Sequence, residues 1–149
     1  MSLPEIFERL TQVSGRAVSA NQVFKSTPPT KPANLPAVWV RWFDTVPTSS
    51  THDNKTLVGR NQKRGKKRVH LFDVTALVAA TNNPAVDAER ARVVADEYMD
   101  ALDDDNQLKG NEAEGVVAMT TIRTIGPVTQ EWDNVVYTGI VARVECIEL

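Results

Sequence analysis

The sequence contains few of the residues on which metal sites and covalent catalysis depend. Its 149 residues include one cysteine, Cys146, and two histidines, His52 and His70. One cysteine cannot form an intrachain disulfide, and this points to a reducing compartment. No CxxC, HExxH, EF-hand or GxSxG pattern is present, so we expect no metal site and no activated nucleophile.

Long apolar runs are also missing. No stretch approaches the ~20 apolar residues that a membrane-spanning helix needs, and the N-terminus lacks the apolar core of a signal peptide. We therefore expect no membrane association. The composition, 42% hydrophobic and 24% charged, is that of an ordinary globular chain, and the length fits a single domain over residues 1–149.

Three features that could suggest chemistry have simpler explanations. His70 lies in a predicted strand, where we expect a hydrogen-bonded structural histidine. Cys146 lies on the apolar side of another strand, where a free cysteine behaves as a small hydrophobe. The stretch from Gly59 to Lys67 looks like a phosphate-binding loop, but its glycines are one residue too far apart and no Ser or Thr follows the lysine. We expect no catalytic residue and no cofactor.

Charge is distributed unevenly along the chain. Residues 54–72 contain seven Lys and Arg and no Asp or Glu, so this segment carries +7 while the whole chain carries −2. The remainder is therefore acidic, which favours docking between copies or a polyanionic partner. The candidate contact residues in the basic segment are Arg60, Lys63, Arg64, Lys66, Lys67 and Arg68.

Three roles are open for this basic segment. It can be a solvated loop, it can meet acidic surfaces of neighbouring subunits, or it can contact DNA phosphates. No aromatic residue lies within the run, so base stacking is not expected and DNA contacts would be independent of sequence. A second candidate set, Asp103, Asp104 and Asp105, lies at the end of a predicted helix, where negative charge opposes the helix dipole. These residues either form a solvated helix end or contact another copy.

Two helices are predicted. Ser2 and Glu5 have the spacing of a capping box, and Gly15 is the expected end of this first helix. Its apolar positions recur at helical spacing and are Ile6, Phe7, Leu10 and Val13. The second helix covers residues 85–103, and Asn82-Asn83-Pro84 signals its start. Its apolar stripe consists of Ala88, Ala91, Val94, Ala95, Tyr98, Met99 and Leu102.

Four segments have strand character. Residues 37–43 and 68–75 are rich in β-branched and aromatic side chains, and residues 116–125 and 136–146 alternate between two faces. A connector with four prolines, residues 26–36, precedes the first strand. The polar residues 45–67 separate the first two strands and predict a long-armed hairpin.

The order of these elements predicts an α+β domain. We expect an antiparallel or mixed β-sheet with two helices packed on one face and a long β-hairpin arm. The side chains expected in the core are Leu10, Tyr98, Leu102, Ile140 and Val144.

This layout resembles that of the tail terminator, or tail-completion, proteins of long-tailed phages. The resemblance rests on the short N-terminal helix, the connector ending in Asn34-Leu35-Pro36-Ala37-Val38-Trp39-Val40, and the long loop before Arg68-Val69-His70-Leu71-Phe72-Asp73-Val74. It continues through the helix at 85–103 and ends in Val136-Tyr137-Thr138-Gly139-Ile140-Val141-Ala142-Arg143-Val144. It covers nearly the whole chain as a match of layout and strand character.

The resemblance implies a non-enzymatic structural protein of a siphovirus-type virion. In that family a six-membered ring caps the head-proximal end of the tail tube, stops its polymerisation and joins it to the head. The implied partners are further copies of this chain, the tail tube protein, the head–tail connector protein and DNA in the central channel, with assembly in the host cytoplasm. Two other functions stay open: a related connector or minor tail protein, and a small nucleic-acid-binding protein that uses the basic loop.

Overall fold

The chain alternates between helices and the strands of one sheet. The computed structural model describes residues 2–28, 30–47, 68–80 and 83–149. Its helices are α1 (Leu3–Ala17) and α2 (Pro84–Asp104). Its strands are β1 (Gln22–Phe24), β2 (Ala37–Pro47), β3 (Arg68–Ala80), β4 (Val117–Trp132) and β5 (Val135–Glu148). The predicted α+β class is confirmed.

The sheet is mixed and has the strand order β1-β2-β3-β5-β4. β1 runs parallel to β2, and the other neighbours are antiparallel. The three-residue β1 was not predicted. β2 and β3 pair from Ala37 opposite Leu77 to Pro47 opposite Arg68, so residues 45–47 are strand rather than the predicted loop. Residues 48–67 lie outside the described chain, and the long hairpin arm stays a prediction.

The start of α1 follows the predicted capping box, but its end does not follow the predicted glycine. Ser2 Oγ accepts a hydrogen bond from the Glu5 N–H, and the Glu5 carboxylate accepts one from the Ser2 N–H, both at 3.4 Å. The helix continues past Gly15 to Ala17. A Cβ at Gly15 would lie 2.9 Å from Val23 Cγ2. This glycine therefore allows α1 to pack closely against β1 and does not end the helix.

Both helices pack on one face of the sheet and form the main core with it. Ile6 and Leu10 of α1 and Tyr98 and Leu102 of α2 are 0–1% exposed. They pack in one cluster with the sheet side chains Val38, Val40, Phe72, Val74, Ile140, Ala142, Val144 and Cys146. The five side chains predicted for the core are all buried, so that prediction is confirmed.

The apolar stripe of α2 differs from the prediction at one position. Ala88 is exposed, whereas Asp87 is 2% exposed. Residues 87, 91, 98 and 102 follow one another at helical spacing, so the helix geometry rather than the residue type places Asp87 against the protein. Among the described residues, its carboxylate oxygen Oδ1 has no hydrogen-bond partner.

The hairpin of β4 and β5 is longer than predicted. The two strands pair as far as Trp132 opposite Val135, whereas the sequence predicted strands over 116–125 and 136–146. Asp133 and Asn134 form the two-residue turn, with φ values of 51° and 65°. Asp and Asn tolerate this left-handed conformation better than other side chains, and such turns match the twist of a hairpin.

Candidate interaction surfaces

The structure locates one of the six predicted basic contact residues. Arg60, Lys63, Arg64, Lys66 and Lys67 lie outside the described residues. Arg68 begins β3, and its side chain is 62% exposed with Nε 3.6 Å from Glu148 Oε1. An exposed ion pair of this kind contributes only about 0–1 kcal/mol, so Arg68 stays available for a partner.

A buried hydrogen-bond network lies beside Arg68. The ring of His70 is inaccessible to solvent; Nδ1 lies 2.8 Å from Thr45 Oγ1 and Nε2 lies 2.8 Å from Glu148 Oε2. The indole N–H of Trp42 donates to Thr45 Oγ1 at 2.9 Å. With the hydrogen placed on Nε2, that N–H donates to Glu148 and the Thr45 hydroxyl donates to Nδ1, so each group of the network has a partner. This is the structural histidine that the sequence predicts.

The same three residues have the connectivity of a nucleophile, a base and an orienting acid. Two features favour a structural role over that chemistry: the ring is fully buried, and the Thr45 oxygen already accepts the Trp42 N–H. The network ties the ends of β2 and β5 to the start of β3. Cys146 is also buried, and burial raises the pKa of its thiol to about 12, so it is protonated at neutral pH. The absence of catalysis stays a prediction, and His52 lies outside the described residues.

The acidic run at the end of α2 divides into two parts. The two carboxylate oxygens of Asp105 accept hydrogen bonds from the N–H groups of Lys109 at 2.7 Å and Gly110 at 2.8 Å. Asp105 therefore closes the loop after α2, which is a local role that the sequence did not reveal. Asp103 and Asp104 are exposed and form no ion pair with any other described residue.

The acidic run and the end of the basic segment lie at the same end of the sheet. The carbonyl of Gln107 accepts hydrogen bonds from Val116 and Val117, at the start of β4. Val117 lies opposite Glu148, and Glu148 pairs with Arg68. The acidic run therefore lies at the same end of the sheet as Arg68, the one described residue of the basic run.

A band of alternating charge crosses the face of the sheet opposite the helices. Arg41 and Arg143 approach Asp73 at 2.7 and 3.0 Å, and Arg123 approaches Glu145 at 3.2 Å. We call these five residues the charged band. Its arginine side chains are 41–62% exposed and its carboxylates only 13% and 20%, so the guanidinium groups form the outer layer.

The electrostatics of the charged band favour its ionised form. Partial burial by itself raises the pKa of Asp73, but hydrogen bonds and charge from Arg143 and Arg41 outweigh burial and hold the pKa below its ordinary value. The hydrogen bond to Asp73 in turn raises the pKa of Arg143. The carboxylate is therefore charged throughout the physiological range.

A β-bulge places an aromatic ring next to the charged band. Phe43 has no partner in the register of β2 and β3, which shifts between Trp42 and Asp44. The guanidinium carbon of Arg143 lies 4.0 Å from the centre of the Phe43 ring, and that of Arg41 lies 5.8 Å from it. Cation–π contacts of this kind hold the ring in place, although its side chain stays 45% exposed.

A second apolar cluster covers the other end of the same face. Its buried members are Trp39, Leu77 and Tyr137, and Phe24, Leu35, Val128 and Trp132 pack against them. The rings of Tyr137 and Trp132 meet edge to face at 5.3 Å. Gly139 lies beside this cluster, where a Cβ would overlap the carbonyl oxygen of Ala76 and the Cα of Leu77. Packing against this cluster and against β3 therefore accounts for both Tyr137 and Gly139 in the last strand.

The charged band was missed by sequence reasoning. Its members are single charged residues inside strands, and only the strand register shows that Arg41, Asp73 and Arg143 lie side by side. Among the described residues, no group of three or more His, Cys, Asp or Glu side chains is arranged to hold a metal ion. Neither described helix combines the length and the apolarity needed to cross a bilayer. No known protein family and no curated protein matches this sequence.

Proposed function

We propose that this chain is a structural subunit of a long-tailed phage virion, a tail terminator-type protein. Copies form a hexameric ring at the head-proximal end of the tail tube, stop the polymerisation of the tube and join it to the head connector. DNA passes through the central channel. The chain acts by binding the tail tube protein, the connector protein and itself, and not by catalysis.

One observation carries this proposal. The sheet has one face covered by helices and one face that no described helix covers, and the uncovered face displays arginines and Phe43. A subunit that joins others in a closed ring needs two different surfaces that fit each other. The element order that the resemblance implies, from the N-terminal helix to the last pair of strands, is also present.

Two measurements test the proposal: the mass of the assembled chain, and its ability to stop the growth of tail tubes. Native mass spectrometry of the purified chain should show hexamers, and electron microscopy should show rings. When the chain is added to polymerising tail tube protein, it should bind one end of each tube and stop growth there. Tubes that keep growing without any bound ring would contradict the tail terminator function.

The other candidate functions predict different outcomes of the same experiment. A related head–tail connector protein would form rings but leave tube growth unchanged. A nucleic-acid-binding protein that uses residues 60–68 would stay monomeric and bind duplex DNA with an affinity that falls steeply with salt.

A further inference from the structure

We propose that the charged band is a docking surface for the outer side of α2 in a second copy of this chain. The α2 residues involved are Asp96, Asp100 and Asp103, which we call the acidic stripe. The proposal rests on the ring-forming function proposed above and identifies the contact that joins neighbouring subunits.

The arginines of the charged band have hydrogen-bond donors that the band itself does not use. A guanidinium group carries five N–H donors, and Arg41 and Arg123 each use one nitrogen in their contact with a carboxylate of the band. Their side chains are 59% and 62% exposed. The remaining donors belong to side chains that are mostly exposed, so they can bind carboxylates from another molecule.

The acidic stripe is a matching surface that no described group of its own chain neutralises. Asp96, Asp100 and Asp103 are exposed and follow at steps of four and three residues, so they lie on one side of α2. None of them forms an ion pair with another described residue. Apart from the buried Asp87, α2 contains six Asp and Glu and two Arg, so its outer side carries a net negative charge. A bound cation would also offset the unfavourable position of Asp103 near the helix C-terminus.

The spacings of the two surfaces agree. Arg41 on β2 and Arg143 on β5 are two strand positions apart in the sheet, which corresponds to about 10 Å. Asp96 and Asp103 are seven residues apart in α2, which also corresponds to about 10 Å along the helix axis. These are backbone spacings, and the guanidinium groups of Arg41 and Arg143 both turn towards Asp73 between them. A helix lying across the strands therefore places Asp96 and Asp103 on either side of this arginine pair.

Apolar surface is available at the same contact. Phe43, between Arg41 and Arg143, is 45% exposed. Val93, one turn before Asp96 and on the same side of α2, is 52% exposed. Burying these two side chains against each other would add a hydrophobic contribution to a contact otherwise made of charges.

The positions of the two surfaces make the contact intermolecular. The acidic stripe lies on the helix layer, and the charged band lies on the opposite face of the sheet. One chain cannot join its own two surfaces, because the sheet separates them. Copies can join only head to tail, and such heterologous contacts form a ring when the rotation between neighbours closes.

Charge reversal tests this contact. A band variant (Arg41→Glu with Arg123→Glu) and a stripe variant (Asp96→Arg with Asp103→Arg) each place like charges opposite each other. We expect each variant alone to associate about a hundredfold more weakly than wild type, because like-charge juxtaposition is costly at an interface. An equimolar mixture should regain association, since the band of each variant then faces the stripe of the other, and native mass spectrometry should show equal numbers of both chains.

Matched controls change the net charge by the same amounts elsewhere. Lys25→Glu with Lys31→Glu is the control for the band, and Glu112→Lys with Glu114→Lys is the control for the stripe; all four side chains are exposed. Both controls should associate like wild type. If the new glutamates destabilise the band variant in thermal melts, Arg41→Gln with Arg123→Gln replaces it and should still weaken association.

Three results would overturn the docking proposal. These are wild-type chains that stay monomeric at every concentration, band variants that associate like wild type, and a mixture that fails to regain association. A labelled DNA duplex of about 20 base pairs provides a further comparison. If the band variant loses only salt-dependent DNA affinity and associates normally, the band is a nucleic-acid surface and docking is wrong.

The tube-capping experiment tests the proposed function separately from the docking contact. If the mixture regains association but tail tubes are not capped, the docking contact stands and the tail terminator function is wrong. If tubes are capped while the variants assemble normally, the function stands and another surface joins the subunits.

Discussion

The two faces of the sheet use the same strands but stabilise the protein differently. On the helix-covered face, apolar side chains are buried, and buried hydroxyl groups pair inside the protein, as in the 2.8 Å hydrogen bond between Ser14 and Tyr98. On the opposite face, the apolar cluster around Trp39, Leu77 and Tyr137 fills one end, and at the other end charges pair across strands in partial contact with water. The covered face therefore contains the larger core, whereas the charged band on the other face can bind a partner at little cost to folding.

Leu102→Ala should lower the free energy of unfolding most, because Leu102 lies in the core beneath the helices. Leu102 is 1% exposed in the main core, and its truncation leaves a cavity that costs about 2–5 kcal/mol. Val93→Ala on the outer side of the same helix should change the free energy of unfolding by less than about 0.5 kcal/mol. Urea denaturation measures both, and equal effects would show that the helix faces are assigned wrongly.

Gly139→Ala tests whether the uncovered face also contains a position critical for packing. The added Cβ would overlap backbone atoms of β3, so we expect a loss of about 1–3 kcal/mol. Gly126→Ala is the control, because no atom lies within 4 Å of its added Cβ. Thermal melts of the two variants should differ clearly. A Gly139→Ala variant as stable as Gly126→Ala would contradict the close approach of β5 to β3.

The hydrogen bond between Ser14 and Tyr98 tests how polar groups are accommodated on the covered face. Tyr98→Phe leaves the buried Ser14 hydroxyl without this partner and should cost about 1–3 kcal/mol. Burial raises the pKa of Tyr98 far above its ordinary value, so its hydroxyl stays protonated in the alkaline range. The double variant Ser14→Ala with Tyr98→Phe should be more stable than Tyr98→Phe alone in denaturation. A purely additive loss would rule out the coupling.

Asp73→Asn should change the free energy of unfolding least, and the size of this change should depend on pH. The pKa of Asp73 is lower in the folded protein than its ordinary value of 3.8. Its ionised form therefore stabilises the fold fully above pH 3.8, and this contribution disappears as the pH falls through the lower folded pKa. Wild type should be more stable than Asp73→Asn at neutral pH, and the difference should vanish in strong acid. A difference independent of pH would contradict the ion pairs.

Local patterns in the sequence predicted both helices and four of the five strands, but the ends of some of these elements depended on contacts with neighbouring elements. The Ser2 and Glu5 capping box and the Asn83 cap are contained in a few consecutive residues, and both helix starts were predicted. Gly15 looked like a helix end because glycine is common there. Only the contact with Val23 on β1, a strand too short to be recognised, explains why a glycine lies inside the helix.

The candidate surfaces were predictable to different degrees. A run of charges such as Asp103–Asp105 is visible in the sequence, yet the hydrogen bonds that make Asp105 a loop-closing residue are not. The charged band consists of residues from four strands. A shift of one residue in the register would turn any of these side chains to the other face, so the band could not be predicted without the sheet.

The sequence by itself determined the class of fold, the starts of both helices, the core side chains and the uneven charge. These follow from periodicity and composition, which act over a few residues or over the whole chain. Tertiary structure alone decided the strand order, the burial of Asp87, the His70 network and the separation of the acidic stripe from the charged band. These depend on contacts between residues far apart in the chain, and their register is set by the packing of the whole sheet against its helices.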